Sequence, residues 1–452
     1  MSSNVPPYQV DLIVAAAVGH SVLSIFATES QVQGRHGHPP RKCQHRSIKE
    51  IYDCLGPHYF RRAYRMTYDS FWILHSKTFR LIWHYAARAI HRKKKTGVKQ
   101  VGGAPPPIQN GLISTSARLG CALRYFAGGC PLDIMVNFGI GYTDVFASVW
   151  SVVMAINRLS EFYISYPPCH EKQREIAASF CEASSVGFDN CAGAIDGILV
   201  WTHMPTEKDA GDDIGRKSFL CARKAKFGLN MQAVSDKRGR ILDLSIKCGG
   251  SSSDCLAFEA SNLYSRLVRG LLAPGLVLFG DNAYINSSFM ATPFPNVSSG
   301  NKDDYNFFHS QLRIRVECSF GMLVHRWGIL RSAIPMGITI QKTVALVNAL
   351  AKLHNYCIDR QDGTDAVCEP TTEDLANITT SEGGYVSIAR VAACDFELPL
   401  PLMDAGHHFD DIPETQRRGN RRESTNIALP RTLLLHKVVE SDMTRPMIKR
   451  RN

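Results

Sequence analysis

None of the 14 cysteines in this 452-residue chain pairs with another at the CxxC spacing of a zinc ribbon or a redox site. Fourteen thiols spread over so long a chain do not form a disulfide scaffold either. Reduced core or surface thiols fit a cytosolic or nuclear compartment. Long apolar runs are also lacking. The most apolar early stretch, Val10 to Ala27, is interrupted by Asp11 and His20 and preceded by no Lys or Arg, so it reads as a buried helix rather than a signal or anchor. No later stretch reaches the roughly 18 uninterrupted apolar residues of a membrane span, and no membrane partner is expected. Internal repeats are not evident.

Hydrophobic residues make up 44% of the chain against 21% charged, enough apolar material for two or three packed domains. Lys and Arg (52) outnumber Asp and Glu (41), so a polyanion is the first partner to consider, and nucleic acid fits better than membrane. The excess is local: residues 41–100 hold fifteen Lys or Arg against Glu50, Asp53 and Asp69. That segment includes the aromatic and basic stretch Tyr59 to Met66 and the run Arg92 to Lys95. Such a run serves phosphate contact or nuclear import, or is simply a solvated face.

Gly102 to Pro107 reads as a linker. After it, apolar spacing predicts helices over Ser114–Phe126, Leu132–Phe138 and Thr143–Ile156, the last two joined by Gly139 to Gly141 as a helix-turn-helix-like segment. The final helix offers no Lys or Arg before Arg158, which argues for packing or multimerisation over major-groove reading. From Cys191 the texture becomes β-like. Ala194–Trp201, Leu229–Val234 and Ile241–Ile246 read as strands, with a hairpin turn at Asp236 to Gly239. A helix over Cys255–Val268, a doubly buried strand at Leu276–Phe279 and a helix over Leu312–His325 complete the set. The fold class expected is α/β: a mixed sheet in β-β-β-α-β-α order, the skeleton of a ribonuclease H-like core, preceded by a helical N-terminal domain.

Three acids fall where that skeleton would gather them. Asp196 lies in the first strand, Asp281 just after the buried one, and Glu317 inside an apolar helical run. Sites of α/β sheets form beyond the carboxyl ends of strands, and a neighbouring helix can add a ligand. Phosphodiester cleavage needs an activated nucleophile and a stabilised leaving oxygen, which two Mg²⁺ or Mn²⁺ ions on carboxylate oxygens provide. Without metal, three such acids repel and raise one another's pKa values. Taken singly, Asp196–Gly197 and Asp281–Asn282 also suit ordinary turns. Asp254 reads as a further ligand, as an acid behind the ligands, or as a helix N-cap. Arg216, Lys217, Arg223, Lys224 and Lys226 would line a DNA channel or form a solvated basic loop. His309 and Arg313, two turns and one turn before Glu317, are candidates for phosphate contact or for orienting that carboxylate.

Gly193 to Gly197 (GlyAlaIleAspGly), Gly280 to Tyr284 (GlyAspAsnAlaTyr) and Arg315 to Leu323 (ArgValGluCysSerPheGlyMetLeu) resemble, in order, the three acidic motifs of Harbinger-type DDE transposases and their domesticated nuclease-like relatives. Flanking stretches match as well: Phe60–Met66, Leu123–Gly129, Gln232–Asp243, Asn306–Arg313, Arg326–Leu330 and Leu353–Cys357. The resemblance covers roughly residues 55–360. It implies a DNA endonuclease or transposase that cuts and rejoins strands with divalent metal held by Asp196, Asp281 and Glu317. It also implies nuclear residence, DNA as substrate, and a separate Myb-like DNA-binding protein as partner, with a homo-oligomer as a further candidate. The corresponding organisation is a basic helical region (1–107), a helix-turn-helix-like domain (108–180), a DDE nuclease domain (181–360) and a largely disordered tail (361–452). Two rivals stand beside this reading: a catalytically silent DNA-binding or scaffold protein of the same descent, and a ribonuclease or repair nuclease on the same fold.

Overall fold

The computed structural model of the protein describes residues 44–96, 112–211, 215–362 and 430–446, with side chains 88–96 left aside. The expected helix at Val10–Ala27, the linker at Gly102–Pro107, the side chains of Arg92–Lys95 and most of the tail lie outside the described residues.

Among the described residues, six α-helices precede the sheet: α1 (Ile48–Tyr64), α2 (Tyr68–Thr96), α3 (Thr115–Phe126), α4 (Pro131–Phe138), α5 (Tyr142–Arg158) and α6 (His170–Glu182). Short polar side chains set several starts. Ser47 and Glu50 form a reciprocal capping box on α1, and Ser114 accepts the Ala117 N–H at the head of α3. α4 and α5 meet at 98° across Gly139, whose φ of 61° ends α4 in the left-handed conformation. The helix-turn-helix-like geometry is therefore present. α5 nevertheless buries Val145, Val149, Val152, Val153 and Ile156 against α2, α3 and a later helix, so packing occupies the face a recognition helix would offer to DNA. Among the described residues no single helix is long and apolar enough to cross a membrane.

The sheet is mixed. Its strands are β1 (Cys191–Trp201), β2 (Leu220–Cys221), β3 (Lys226–Ser235), β4 (Ile241–Gly249), β5 (Val277–Phe279) and β6 (Met290–Ala291). Strand order is β2, β3, β1, β5, β6, with β4 also paired to β3. β3 runs antiparallel to β1, β2 and β4, whereas β5 is parallel to both β1 and β6. The short helix α7 (Glu207–Ala210) follows β1; α8 (Asp254–Glu259) and α9 (Asn262–Val268) lie between β4 and β5. The long α10 (Asn301–Arg326) and α11 (Ile340–Asp359) close the core.

Three differences from the sequence expectation have simple causes. The single helix expected over 255–268 is two, because Ser261 accepts the Tyr264 N–H and starts a second one. α10 begins at Asn301 rather than Leu312, its first turn being polar, with Asp303 and Asp304 at the positive end of the helix dipole. Inside the tail, Pro430–Glu440 is a helix, α12, which packs on α10 and β6.

The β3–β4 hairpin turns at Asp236–Gly239 as its chemistry dictates. Gly239 has φ 81°, its N–H donates to the Asp236 carbonyl, and the Asp236 side chain accepts the Arg240 N–H. The Gly239 carbonyl accepts from Ser319 Oγ on α10 (2.7 Å) and from His354 Nε2 on α11 (3.0 Å). Asn355 pairs with both the N–H and the carbonyl of Ile241. The His-Asn of the 353–357 motif is thus a clamp on the hairpin, and burial lowers His354 to about 3.

Candidate active site

Register brings the first two acids together. Ala194 pairs with Phe279 across the parallel β1–β5 ladder, so Asp196 and Asp281 stand two residues further along neighbouring strands. α10 packs over β1 and supplies Glu317. Asp196 is almost fully buried; its Oδ1 accepts the Gly197 N–H at 2.7 Å. Asp281 accepts the Ala283 N–H at 2.9 Å in a tight turn. Between the acids lies Arg313, itself buried, one turn before Glu317. Its Nη1 stands 2.6 Å from Glu317 Oε1 and 3.5 Å from Asp196 Oδ2.

The electrostatics follow from this crowding. Burial, then Asp281, pushes the Asp196 carboxyl well above the usual carboxylate range, with Arg313 pulling the other way. Burial likewise raises Asp281, again against Arg313. For Arg313 burial works to remove the proton, but Glu317, Asp196 and Asp281 outweigh it and hold the guanidinium charged.

A fourth acid joins the group. Asp254, the first residue of α8, accepts from Asn230 Nδ2 (2.8 Å) and Gln232 Nε2 (3.1 Å) on β3, and Gln232 Oε1 accepts the Tyr284 hydroxyl (2.5 Å). Asp254 acts electrostatically on both Asp196 and Asp281. The helix cap one residue earlier is Ser253, so the capping role does not belong to Asp254. Gly197 makes the approach possible: a Cβ there would lie 1.9 Å from Asp254 Oδ1 and 2.4 Å from Gln232 Nε2. Asp196–Gly197 is therefore mid-strand, not a turn. Sequence reasoning missed the Asn230–Gln232–Tyr284 chain, although Gln232 and Tyr284 both sit inside motifs it singled out.

The basic candidates separate. Lys224 is half-buried near the acids; burial, then Arg223, lowers it to about 8 against the pull of Asp254 and Asp196. Arg223 and Lys217 are exposed, Lys226 lies over the Trp201 ring at 3.3 Å, and Arg216 pairs with Glu207 at 2.7 Å. The expectation of phosphate contact fails for His309. Its ring is fully buried, stacked on Phe279 at 4.5 Å and bonded through Nε2 to the Ala291 carbonyl, and burial lowers it to about 3. Arg313 is likewise turned to the acids rather than to an open surface.

Among the described residues, no three acid, imidazole or thiol groups converge as a preformed metal site. The donor set still suits a hard divalent cation, since carboxylate oxygens are what Mg²⁺ and Mn²⁺ prefer.

Comparison with known proteins agrees with the motifs. Residues 195–355 match the family described as DDE superfamily endonuclease. "Protein ALP1-like" of Arabidopsis thaliana is 24% identical over 312 residues, covering 66% of this chain and 72% of that protein. "Putative nuclease HARBI1" of Bos taurus and of Homo sapiens are each 23% identical over 269 residues, covering 59% of this chain and 73% of theirs. No solved structure gives a significant match. Residues 195–355, which carry Asp196, Asp254, Asp281, Arg313 and Glu317, are thus the part of the chain that matches DDE superfamily endonucleases, and the resemblance to Harbinger-type DDE transposases and their domesticated relatives holds.

Proposed function

We propose that the protein is a divalent-metal-dependent DNA endonuclease or transposase of the Harbinger type, or a domesticated derivative, working in the nucleus. The observation that carries this reading is the gathering of Asp196, Asp281 and Glu317 from β1, the end of β5 and α10 around one guanidinium. A ribonuclease H-like core is supported by an antiparallel β1–β3–β4 set continued by parallel β5 and β6, with α10 over β1. In this reading the three acids hold Mg²⁺ or Mn²⁺. Bound there, such cations activate water or a 3′-hydroxyl and stabilise the leaving 3′ oxygen. Asp254, fixed by two amides, reinforces the negative field, and the exposed Arg223 and Lys217 face phosphates. With α5 engaged in packing, target choice falls to a separate Myb-like DNA-binding protein, and a second copy of the chain would pair the two element ends.

The test is cleavage of labelled duplex DNA by the purified protein in Mg²⁺ or Mn²⁺ against EDTA. Glu317→Ala and Asp196→Asn should each lower the metal-dependent rate by about three orders of magnitude or more, with bulk DNA affinity retained. Variants that cut as fast as the parent would remove the site assignment.

One observation favours the silent reading. Arg313 gives the carboxylates a counter-ion of their own, so the cluster can persist without metal. Salt-sensitive DNA binding with no metal-dependent cutting, even with the partner added, would select it.

A further inference from the structure

We propose that Arg313 is the resident cation of the metal-free site, holding Asp196 and Glu317 together until divalent metal displaces its guanidinium from Glu317. The inference rests on the metal reading above and concerns what this chain does before the metal arrives. Three observations carry it. First, the contact is with the ligand atom itself: Arg313 Nη1 lies 2.6 Å from Glu317 Oε1, an oxygen a metal would need. Second, the same nitrogen reaches Asp196 Oδ2 at 3.5 Å, so one group ties the helix acid to the strand acid. Third, Arg313 is buried and cannot leave by losing its proton, because a guanidinium stays charged under all working conditions.

The competition follows from charge. Asp196 is buried with Asp254, Asp281 and Glu317 half-buried around it, and uncompensated carboxylates there are costly. One guanidinium relieves part of that cost and keeps α10 seated on β1. A dication relieves more of it, yet only after Glu317 exchanges its ion pair for the metal. Arg313 thus stabilises the empty fold and weakens metal affinity by the same contact. Glu317 and Arg313 share one helix, so the exchange needs only a side-chain rotation of Arg313, not a movement of α10.

The test measures Mn²⁺ binding to the full chain without DNA, by calorimetry and by the electron paramagnetic resonance of free Mn²⁺, beside thermal unfolding with and without the metal. Arg313→Gln should unfold at lower temperature than the parent when metal-free, bind Mn²⁺ about tenfold more tightly, and gain more thermal stability from it. A purely structural role for Arg313 would leave the Mn²⁺ affinity unchanged or weaken it. Should Arg313→Gln fail to fold, Arg313→Lys carries the same comparison: it keeps the charge but lacks the planar fork that spans two acids, and should tighten Mn²⁺ binding by a smaller factor. If the parent binds Mn²⁺ and neither variant binds more tightly, the displacement idea is overturned while the metal site stands. If neither parent nor variants bind Mn²⁺, the metal reading falls and takes this inference with it.

Discussion

At Gly197 a missing side chain does the placing. Asp254 Oδ1 comes so close to the Cα of Gly197 that any Cβ would lie 1.9 Å from it, and the Gln232 amide stands 2.4 Å from the same point. Neither neighbour is free to yield, because Asp254 is tied to Asn230 and Gln232, and Gln232 to Tyr284. Gly197→Ala should therefore break this chain and cost about 3 kcal/mol in stability, read as a lower denaturation midpoint, and should also lower metal-dependent cleavage. A variant as stable as the parent would show that Asp254 swings away without loss. From sequence alone, Asp196–Gly197 also suited a turn, since the contact that requires the glycine comes from a residue 57 positions later. For Arg313 and His309 the sequence left phosphate contact and orientation of the Glu317 carboxylate both open, for a related reason. Helical spacing placed both on the turns before Glu317, but spacing does not say which face meets the sheet. Arg313 meets the acids, and His309 lies flat on Phe279.

Elements with strong local chemistry were legible in the sequence. The 236–239 turn, the helices over 115–126 and 131–138 and the buried 277–279 strand all appear where turn residues and apolar spacing put them. The two-residue strands β2 and β6 did not, because two residues show no alternation. α12 escaped notice for another reason: its apolar residues fall in two short runs, of which only Leu434 and Val438, one turn apart, are buried while Leu433 and Val439 are exposed. Its placement is nevertheless specific. Arg431 Nη1 donates to the Pro293 carbonyl and its guanidinium covers the Phe294 ring at 4.3 Å; Lys437 pairs with Asp189; Arg445 Nη1 meets both carboxylate oxygens of Asp303 while its N–H donates to Asp304. The Arg445 contacts brace the start of the helix that carries Glu317, and those of Arg431 and Lys437 fix α12 beside it. Deleting residues 430–446 should cost about 3 kcal/mol, chiefly from Leu434 and Val438, and lower the unfolding temperature. A peptide of residues 428–446 added to the truncated protein should restore part of that loss, since the docking face remains. Unchanged stability on deletion would show that α12 rests on α10 without bracing it.

At the scale of the whole molecule, composition marks a change of secondary structure near residue 181, and the core does not respect it. Ile48, Phe71, Phe126 and Val152 belong to the same apolar cluster as Phe279, Trp327, Leu346, Leu350 and Val438. Polar ties cross the same boundary: Arg326 Nη1 donates to the Arg65 carbonyl, Tyr356 Oη to the Ser70 carbonyl, and Asn157 Nδ2 to the Ala345 carbonyl. Two stretches that resemble family motifs meet here as backbone against backbone, for a Cβ on Gly328 would stand 2.5 Å from the Ala127 carbonyl oxygen. The helices before the sheet thus form part of the wall behind α11, on which α5 packs. Cutting the chain at residue 181 should therefore leave residues 181–362 with Trp327, Leu346, Leu350 and Leu353 facing water, an apolar patch too large for a soluble domain. Expressed alone, that piece should show no sharp thermal transition and should bind a hydrophobic dye, while the full chain unfolds these helices and the sheet in one transition. A cooperative transition in the isolated piece, near the temperature of the full chain, would mean that the nuclease sheet carries its own core and that the helices are an attachment.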